Sequence, residues 1–241
     1  MFVSSDLYSF YDSANNYWDF DRSDNIVDNV TSRKSIPQGT VSTTRSPAGT
    51  GLFVKKGTEI YLNKYNMAGI ESSDISIACL DPTTCEEGFT ISVLIKVTGT
   101  KEALKKNIFL FGNRISEEHK GWSVGVLDNK LQIVVATNED VCSLIDVNIM
   151  ANIWFQLAFS WKDPKSNGQL KVFIDHKSFH NSSDVQCKHL PLSRSLQQMI
   201  SIGSTTGSTD AEYDNLAVWY KQLTAADITA PWIHMKGAII S

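Results

Sequence analysis

The segment GFTISVLIKV places Phe89, Ile91, Val93, Ile95 and Val97 on one side of an extended chain. A period of two is what a strand uses; on a helix the same residues would be scattered around the axis. The alternation returns in WFQLAFSW, where Phe155, Leu157, Phe159 and Trp161 alternate with Gln156, Ala158 and Ser160, the pattern of a half-buried antiparallel strand. Further strand runs are GTEIYLNKY, KNIFLFGNR, GWSVGVLDNKLQIVVAT, GQLKVFIDHKSF, MISIGS and YDNLAVWYKQL. Turn residues separate them, with Asp128-Asn129 between WSVGVL and LQIVV and Ser166-Asn167-Gly168 before LKVFI. Helix is scarce. TKEALKK offers one or two turns, and Thr224 to Ile228 reads as a turn capped by Thr224, with Asp227 at the third helical position facing the positive end of the dipole. This repertoire predicts an all-β chain: a two-sheet antiparallel β-sandwich, or jelly roll, with one or two short helical turns.

A chain of 241 residues, 42% of them hydrophobic, can build a full core. The expected organisation is one domain over residues 16–241, preceded by a polar and aromatic N-terminal arm, residues 1–15. A net charge of -4 supplies no basic field for a phosphate backbone, which argues against nucleic acid as partner. No stretch has the apolar length of a membrane span, which argues against direct membrane insertion. The opening MFVSSDLYSFYDSANN carries acidic and polar residues where a secretion signal needs a basic start and an apolar centre. The chain therefore reads either as cytosolic or as an excised piece of a larger protein.

The cysteines decide between these. Cys79, Cys85, Cys142 and Cys187 allow three pairings. The C-x5-C spacing of the first two misses the zinc-knuckle spacings, and the intervening Asp81-Pro82 is a turn signal, so Cys79 and Cys85 are expected to staple a small loop. That leaves Cys142 with Cys187. Two glycosylation sequons, Asn29-Val30-Thr31 and Asn181-Ser182-Ser183, fall in polar loop-like stretches. Together these features predict an oxidising, extracellular or cell-surface setting.

Catalytic patterns are present only in fragments. Gly121-Trp122-Ser123-Val124-Gly125 matches the G-x-S-x-G nucleophile elbow, but strand, turn and strand follow where the elbow needs a helix, so Ser123 reads as a strand residue. Glu212-Tyr213-Asp214 resembles the E-x-D core of sandwich-fold glucanases without the further carboxylate that would complete the pair. His176, His180, Cys187 and His189 crowd one segment, but Cys187 already has a disulfide partner. Calcium is the ion for which hard oxygen ligands are available, from Glu117, Glu118, Asp128 and Asp210.

The blocks NNYWDFDRSDNIVDNV, CLDPTTCEEGFTISVLIKV, GWSVGVLDNKLQIVV, NIWFQLAFSWKDPKSNGQLKVFIDHK and ISIGSTTGSTDAEYDNLAVWYKQLTAADI together resemble the concanavalin A-like superfamily, which includes laminin G-like and pentraxin-like domains. The last block carries most of the likeness: a glycine after an apolar strand, an acidic loop, then Asp214 and Trp219, Leu223-Thr224 and Asp227-Ile228. The Tyr17-Trp18 opening and the paired cysteines before FTIS are similar in particular to the pentraxin-like extracellular domain of delta-group adhesion G-protein-coupled receptors. Soluble pentraxins join the strands written here FTISVLIKV and WFQLAFSW by a disulfide; Ser92 and Ala158 occupy those places. Their double-calcium site uses acids before the GWSVGV strand and after the ISIG strand, where this chain offers Glu117-Glu118-His119 and Ser204 to Asp210. The resemblance implies a non-catalytic extracellular recognition or adhesion module, the pentraxin-like piece of a receptor ectodomain, whose partner is an extracellular protein ligand or a neighbouring receptor domain. The second reading is a calcium-dependent carbohydrate-binding domain.

Overall fold

The structure, a computed structural model, describes residues 10–62, 81–162, 170–175, 177–180, 186–196 and 199–228. The first strands are β1 (Asn16–Trp18), the hairpin β2 (Val27–Asp28) and β3 (Arg33–Lys34), then β4 (Ile36–Gln38), β5 (Val41–Ser46), β6 (Gly49–Val54) and β7 (Glu59–Leu62). The middle of the chain forms β8 (Phe89–Val97), β9 (Ile108–Gly112), β10 (His119–Leu127), β11 (Lys130–Ala136), β12 (Asp140–Asn148) and β13 (Phe155–Trp161). The last group is β14 (Lys171–Ile174), β15 (Lys177–His180), β16 (Gln186–His189), β17 (Ser195–Leu196), β18 (Ile200–Gly203) and β19 (Ala211–Trp219).

Two antiparallel sheets face each other. The eight-stranded sheet runs β15-β14-β13-β8-β19-β6-β5, with β1 alongside β19; the nine-stranded sheet runs β16-β12-β11-β10-β9-β18-β7-β4, with β17 beside β10. The two-sheet sandwich expected from the strand periodicity is therefore what the chain builds. Helix is confined, among the described residues, to single turns: residues 10–12, a 3-10 turn over Ala103–Lys105, and residues 225–228. The last of these carries the anticipated capping box. Thr224 Oγ1 accepts from the Asp227 amide at 3.2 Å, and the Asp227 carboxylate accepts from the Thr224 amide at 3.0 Å. The Asp128-Asn129 turn holds φ of 51° and 63°, the left-handed pair that a tight hairpin with the right-handed sheet twist requires. The Ser166-Asn167-Gly168 turn lies outside the described residues.

Between the sheets the aromatic residues interlock. Trp122 meets Phe111 edge-on at 6.0 Å and Phe159 at 5.8 Å, and Phe159 in turn meets Phe89 at 6.2 Å. Such edge-to-face pairs contribute about 0.5–1.5 kcal/mol each beyond the area they bury. The Tyr213 hydroxyl, buried in β19, donates to the Leu110 carbonyl across the core at 3.0 Å, so its burial leaves no polar group orphaned. Cys142, on the core side of β12, is bonded to Cys187 on the edge strand β16, to which it is directly opposed in register. Cys85 is also disulfide-bonded, while Cys79 lies outside the described residues. Ser92 and Ala158 face each other in the β8–β13 pairing, and Gln156 donates to the Ser92 hydroxyl at 3.2 Å.

One strand reading needs correction. WFQLAFSW was expected to be half-buried, yet every residue from Phe155 to Trp161 is buried. The outer face of the eight-stranded sheet is covered rather than solvated. Tyr11, Ala14, Leu94, Ala158, Phe173, Ala217, Trp219, Leu223 and Ile228 make a second apolar cluster there. Tyr11 stacks on Tyr17 at 4.5 Å, and the Trp219 indole donates to Ser13 at 3.0 Å. Residues 10–15 of the N-terminal arm are thus packed down, and residues 1–9 lie outside the described residues.

A candidate binding groove on the nine-stranded sheet

The outer face of the other sheet is open in its centre. Trp122, Val124 and Val126 of β10 point into the core, so Ser123 and Gly125 face outward. Gly125 sits beside Phe109 of β9 and Gln132 of β11, and Ser123 sits between Gly112 and Val134. The floor is low because two glycines stand in it. A Cβ at Gly125 would lie 2.4 Å from the Ile108 carbonyl oxygen, and one at Gly112 would lie 2.4 Å from that of Trp122, where φ is also +141°. The register shift between Val124 and Gly125 is a bulge that opens the β9–β10 pairing at the same place.

The resulting cavity has a volume of about 220 Å³. Its floor carries a half-buried ring, Phe109, the Ser123 hydroxyl and the Gln132 amide; its wall is the β9–β10 loop, Arg114 to Glu117, with Asn107 at the far end. The loop is held by Asn113, whose side chain is fully buried and accepts from the Trp122 amide at 2.8 Å. The Asn113 and Arg114 amides both donate to the Trp122 carbonyl, at 2.9 and 3.0 Å. Arg114 therefore rises from a fixed backbone. Burial holds its guanidinium below the usual arginine pKa; Glu117 opposes that shift and the neighbouring Arg194 charge adds to it. Ring, hydroxyl, amide and guanidinium around one concavity can recognise a small polar ligand.

The residues singled out in the sequence have other places. Ser123 lies mid-strand on the groove floor, not on a strand-to-helix turn. Glu212 is ion-paired to Lys96 at 2.6 Å and accepts from Thr44 at 2.7 Å, while Asp214 is buried and accepts from the Ser46 hydroxyl. Both E-x-D acids are structural. The calcium candidates do not converge: Glu117 and Glu118 precede β10, whereas Asp128 follows it, and the strand between them spans about 26 Å at ~3.3 Å per residue. Asp210 lies at the Asp128 end, where it accepts from the Lys56 amide at 2.7 Å. Among the described residues no three His, Cys, Asp or Glu side chains are grouped to hold a metal. His189 is exposed and contacts Asp140 at 3.1 Å; His176 lies outside the described residues. Asn29 is exposed on the β2–β3 turn, its amide donating to Asp19 at 2.8 Å, and Asn181 lies outside the described residues.

Phe109, Arg114 and Gln132 were not anticipated. Each stands alone in sequence and joins the others only through strand pairing. The available signal was a glycine inside each of two adjacent strand runs, FLFGNR and WSVGVL.

The family model described as the concanavalin A-like lectin/glucanases superfamily matches residues 70–229. No curated protein matches the chain. Among solved structures, the receptor binding domain of botulinum neurotoxin C/D mosaic serotype is similar with a TM-score of 0.66 at 15% identity, over 95% of this chain and 52% of that one. The binding domain of botulinum neurotoxin DC in complex with rat synaptotagmin II gives 0.65 at 12%, over 94% and 52%. The serotype D ligand binding domain in complex with N-acetylneuraminic acid gives 0.64 at 16%, over 98% and 53%. The chain thus spans about half the length of these structures, and at such identity the likeness carries the fold.

Proposed function

The chain belongs to the concanavalin A-like lectin/glucanases superfamily, and from that premise we propose that it is a non-catalytic extracellular recognition module whose ligand seats in the Phe109–Arg114–Gln132 groove. The observation that carries this reading is the contrast between the two outer faces of the sandwich. One is sealed by its own chain, and the other holds a cavity lined by a ring, amides, hydroxyls and a guanidinium. The superfamily hosts catalysts as well as binders, so fold alone does not choose between them. The choice rests on Glu212 and Asp214 being tied into the sheet and on Ser123 lying flat in a strand. The structural neighbours support recognition as the role of the fold, since their complexes hold a protein in one case and a sugar acid in another.

The Cys142–Cys187 bridge favours an oxidising compartment, and no helix among the described residues is long and apolar enough to cross a membrane. The finer identity we infer is the pentraxin-like piece of an adhesion-receptor ectodomain, carrying a glycan on exposed Asn29 and binding an extracellular partner or an adjacent receptor domain. The test is binding of the purified, glycosylated chain to cell surfaces, compared with Phe109→Ala. We expect binding that the substitution abolishes while the unfolding midpoint stays put. Turnover of ester or β-glucan substrates would overturn the non-catalytic reading.

A further inference from the structure

Resting on the reading of the groove as a ligand site, we propose that it selects a carboxylate-bearing sugar, with Arg114 as the residue that meets the carboxylate. The cavity and its charge carry the argument. Arg114 lines the cavity, yet its side chain makes no hydrogen bond, its Nε is buried without a partner, and no carboxylate among the described residues pairs with it. Glu117 is the nearby acid, and it stays exposed without bridging to Arg114. Arg194 compounds the imbalance. It is only 6% exposed, gives its two terminal nitrogens to the Thr137 and Leu190 carbonyls, and leaves its own buried Nε unpartnered. Glu117, on the cavity wall, acts on Arg114 only from a distance, and among the described residues neither of these two neighbouring guanidiniums, one of them nearly sealed from water, has an ion-pair partner. A charge withdrawn from water without one is costly, and an anion arriving in the groove relieves that cost.

The rest of the lining narrows the anion. A phosphate is met by several free cations or by a ring of amides at a helix N-terminus or backbone nest, whereas here the Arg194 terminal nitrogens are already given to carbonyls and Arg194 does not line the cavity. One guanidinium fork fits the planar, two-oxygen geometry of a carboxylate. Asn107, Ser123 and Gln132 supply the mixed donors and acceptors that ring hydroxyls need, and Phe109 offers an apolar edge for a sugar's C–H face. A cavity of about 150 Å³ accommodates benzene, so 220 Å³ has room to seat one substituted six-membered ring.

The experiment is ligand-observed NMR with titration of the intact chain against three probes: the methyl α-glycoside of N-acetylneuraminic acid, methyl β-D-glucuronide, and neutral methyl β-D-galactoside. Wild type, Arg114→Gln and Arg114→Lys are compared at low and at physiological salt. We expect one or both acidic glycosides to bind and the galactoside to bind at least about tenfold more weakly, with Arg114→Gln removing that preference and Arg114→Lys retaining part of it. Which acidic probe binds tells the sugar acids apart. Added salt should weaken the acidic probes and leave the neutral one unchanged. Arg114→Gln should unfold no lower than wild type without ligand, because it removes an uncompensated charge. Equal binding of acidic and neutral probes, or acidic binding indifferent to Arg114→Gln in a folded variant, would overturn the inference while leaving the groove a ligand site. If no probe binds while Phe109→Ala still abolishes cell-surface binding, the inference falls alone. If Phe109→Ala is also without effect, the groove reading falls with it.

Discussion

Asp214 offers the sharpest quantitative test of the packing over the eight-stranded sheet. It is 2% exposed, at a register shift in β19 where Asn215 turns to φ of 50°, beneath the face that Tyr11 and Tyr17 cover. Burial is the main cause of its raised pKa, pushed up to about 8, with the Asp21 and Asp19 charges adding to it; the Ser46 hydroxyl and the Asn215 amide pull the other way. The unfolded chain loses this proton near pH 3.9. Between those values the folded state holds a proton that the unfolded state has released. Stability from this group is therefore full below about pH 4 and lost as pH rises toward 8. Each unit in that window is ~1.4 kcal/mol, so the passage from pH 5 to pH 7.5 removes about 3 kcal/mol. At ~2–4 °C per kcal/mol for a chain of this size, that lowers the unfolding midpoint by about 10 °C. Asp214→Asn keeps the shape and the acceptor for Ser46 and cannot ionise. Calorimetry of both proteins at pH 5 and pH 7.5 should show the variant gaining on wild type by about 10 °C as pH rises, all other titrations cancelling in the difference. Parallel pH profiles would refute the reasoning, by showing that Asp214 reaches water or that the covering segment does not stay down.

Three further outcomes follow from the architecture. Replacing Cys142 and Cys187 with alanine opens a loop with a sequence separation of 45 and should lower stability by about 4 kcal/mol, read by urea unfolding; an unchanged midpoint would mean that β16 is held without the bridge. Tyr11→Ala should cost about 3 kcal/mol, since it removes a buried ring stacked on Tyr17 and over Trp219; a loss under about 1 kcal/mol would place residues 10–15 outside the cooperative unit. Because Glu117 and Glu118 stand at the opposite end of β10 from Asp128 and Asp210, excess calcium should leave the unfolding midpoint within about 1 °C of its value in chelator, whereas a rise of several degrees would reveal a site built otherwise.

The sandwich was legible because its signal is local. Alternation in FTISVLIKV and WFQLAFSW depends only on neighbours in sequence, as do the Asp128-Asn129 turn and the Thr224–Asp227 capping box. What the alternation hid was the second buried face. Gln156, Ala158 and Ser160 read as solvated because small and polar residues commonly face water, and nothing beside them in sequence announces that Tyr11 and Leu223 lie above. The groove was hidden for a related reason. Arg114, Phe109 and Gln132 come from a loop and two strands, and their meeting depends on register, on a bulge and on two glycines whose roles appear only when strands pair. Glu212 and Asp214 resembled a catalytic pair because spacing shows shared facing and not the Lys96, Thr44 and Ser46 groups that occupy them.

The order of strands also bears on how the protein is made. β19 lies in the centre of its sheet, between β8 and β6, and takes β1 at its far end. On the ribosome, β1, β6 and β8 emerge long before residue 211 does; until then β1 lacks its strand partner, β6 has only β5 and β8 can gain only β13. For most of synthesis the nascent chain therefore carries unpaired edges and apolar faces with nothing to receive them. Closure over so many intervening residues is intrinsically slow. Chains stalled or cut before Trp219 should be lost to aggregation or quality control rather than persist as a smaller sandwich, so that β19 acts as a checkpoint on closure of its sheet.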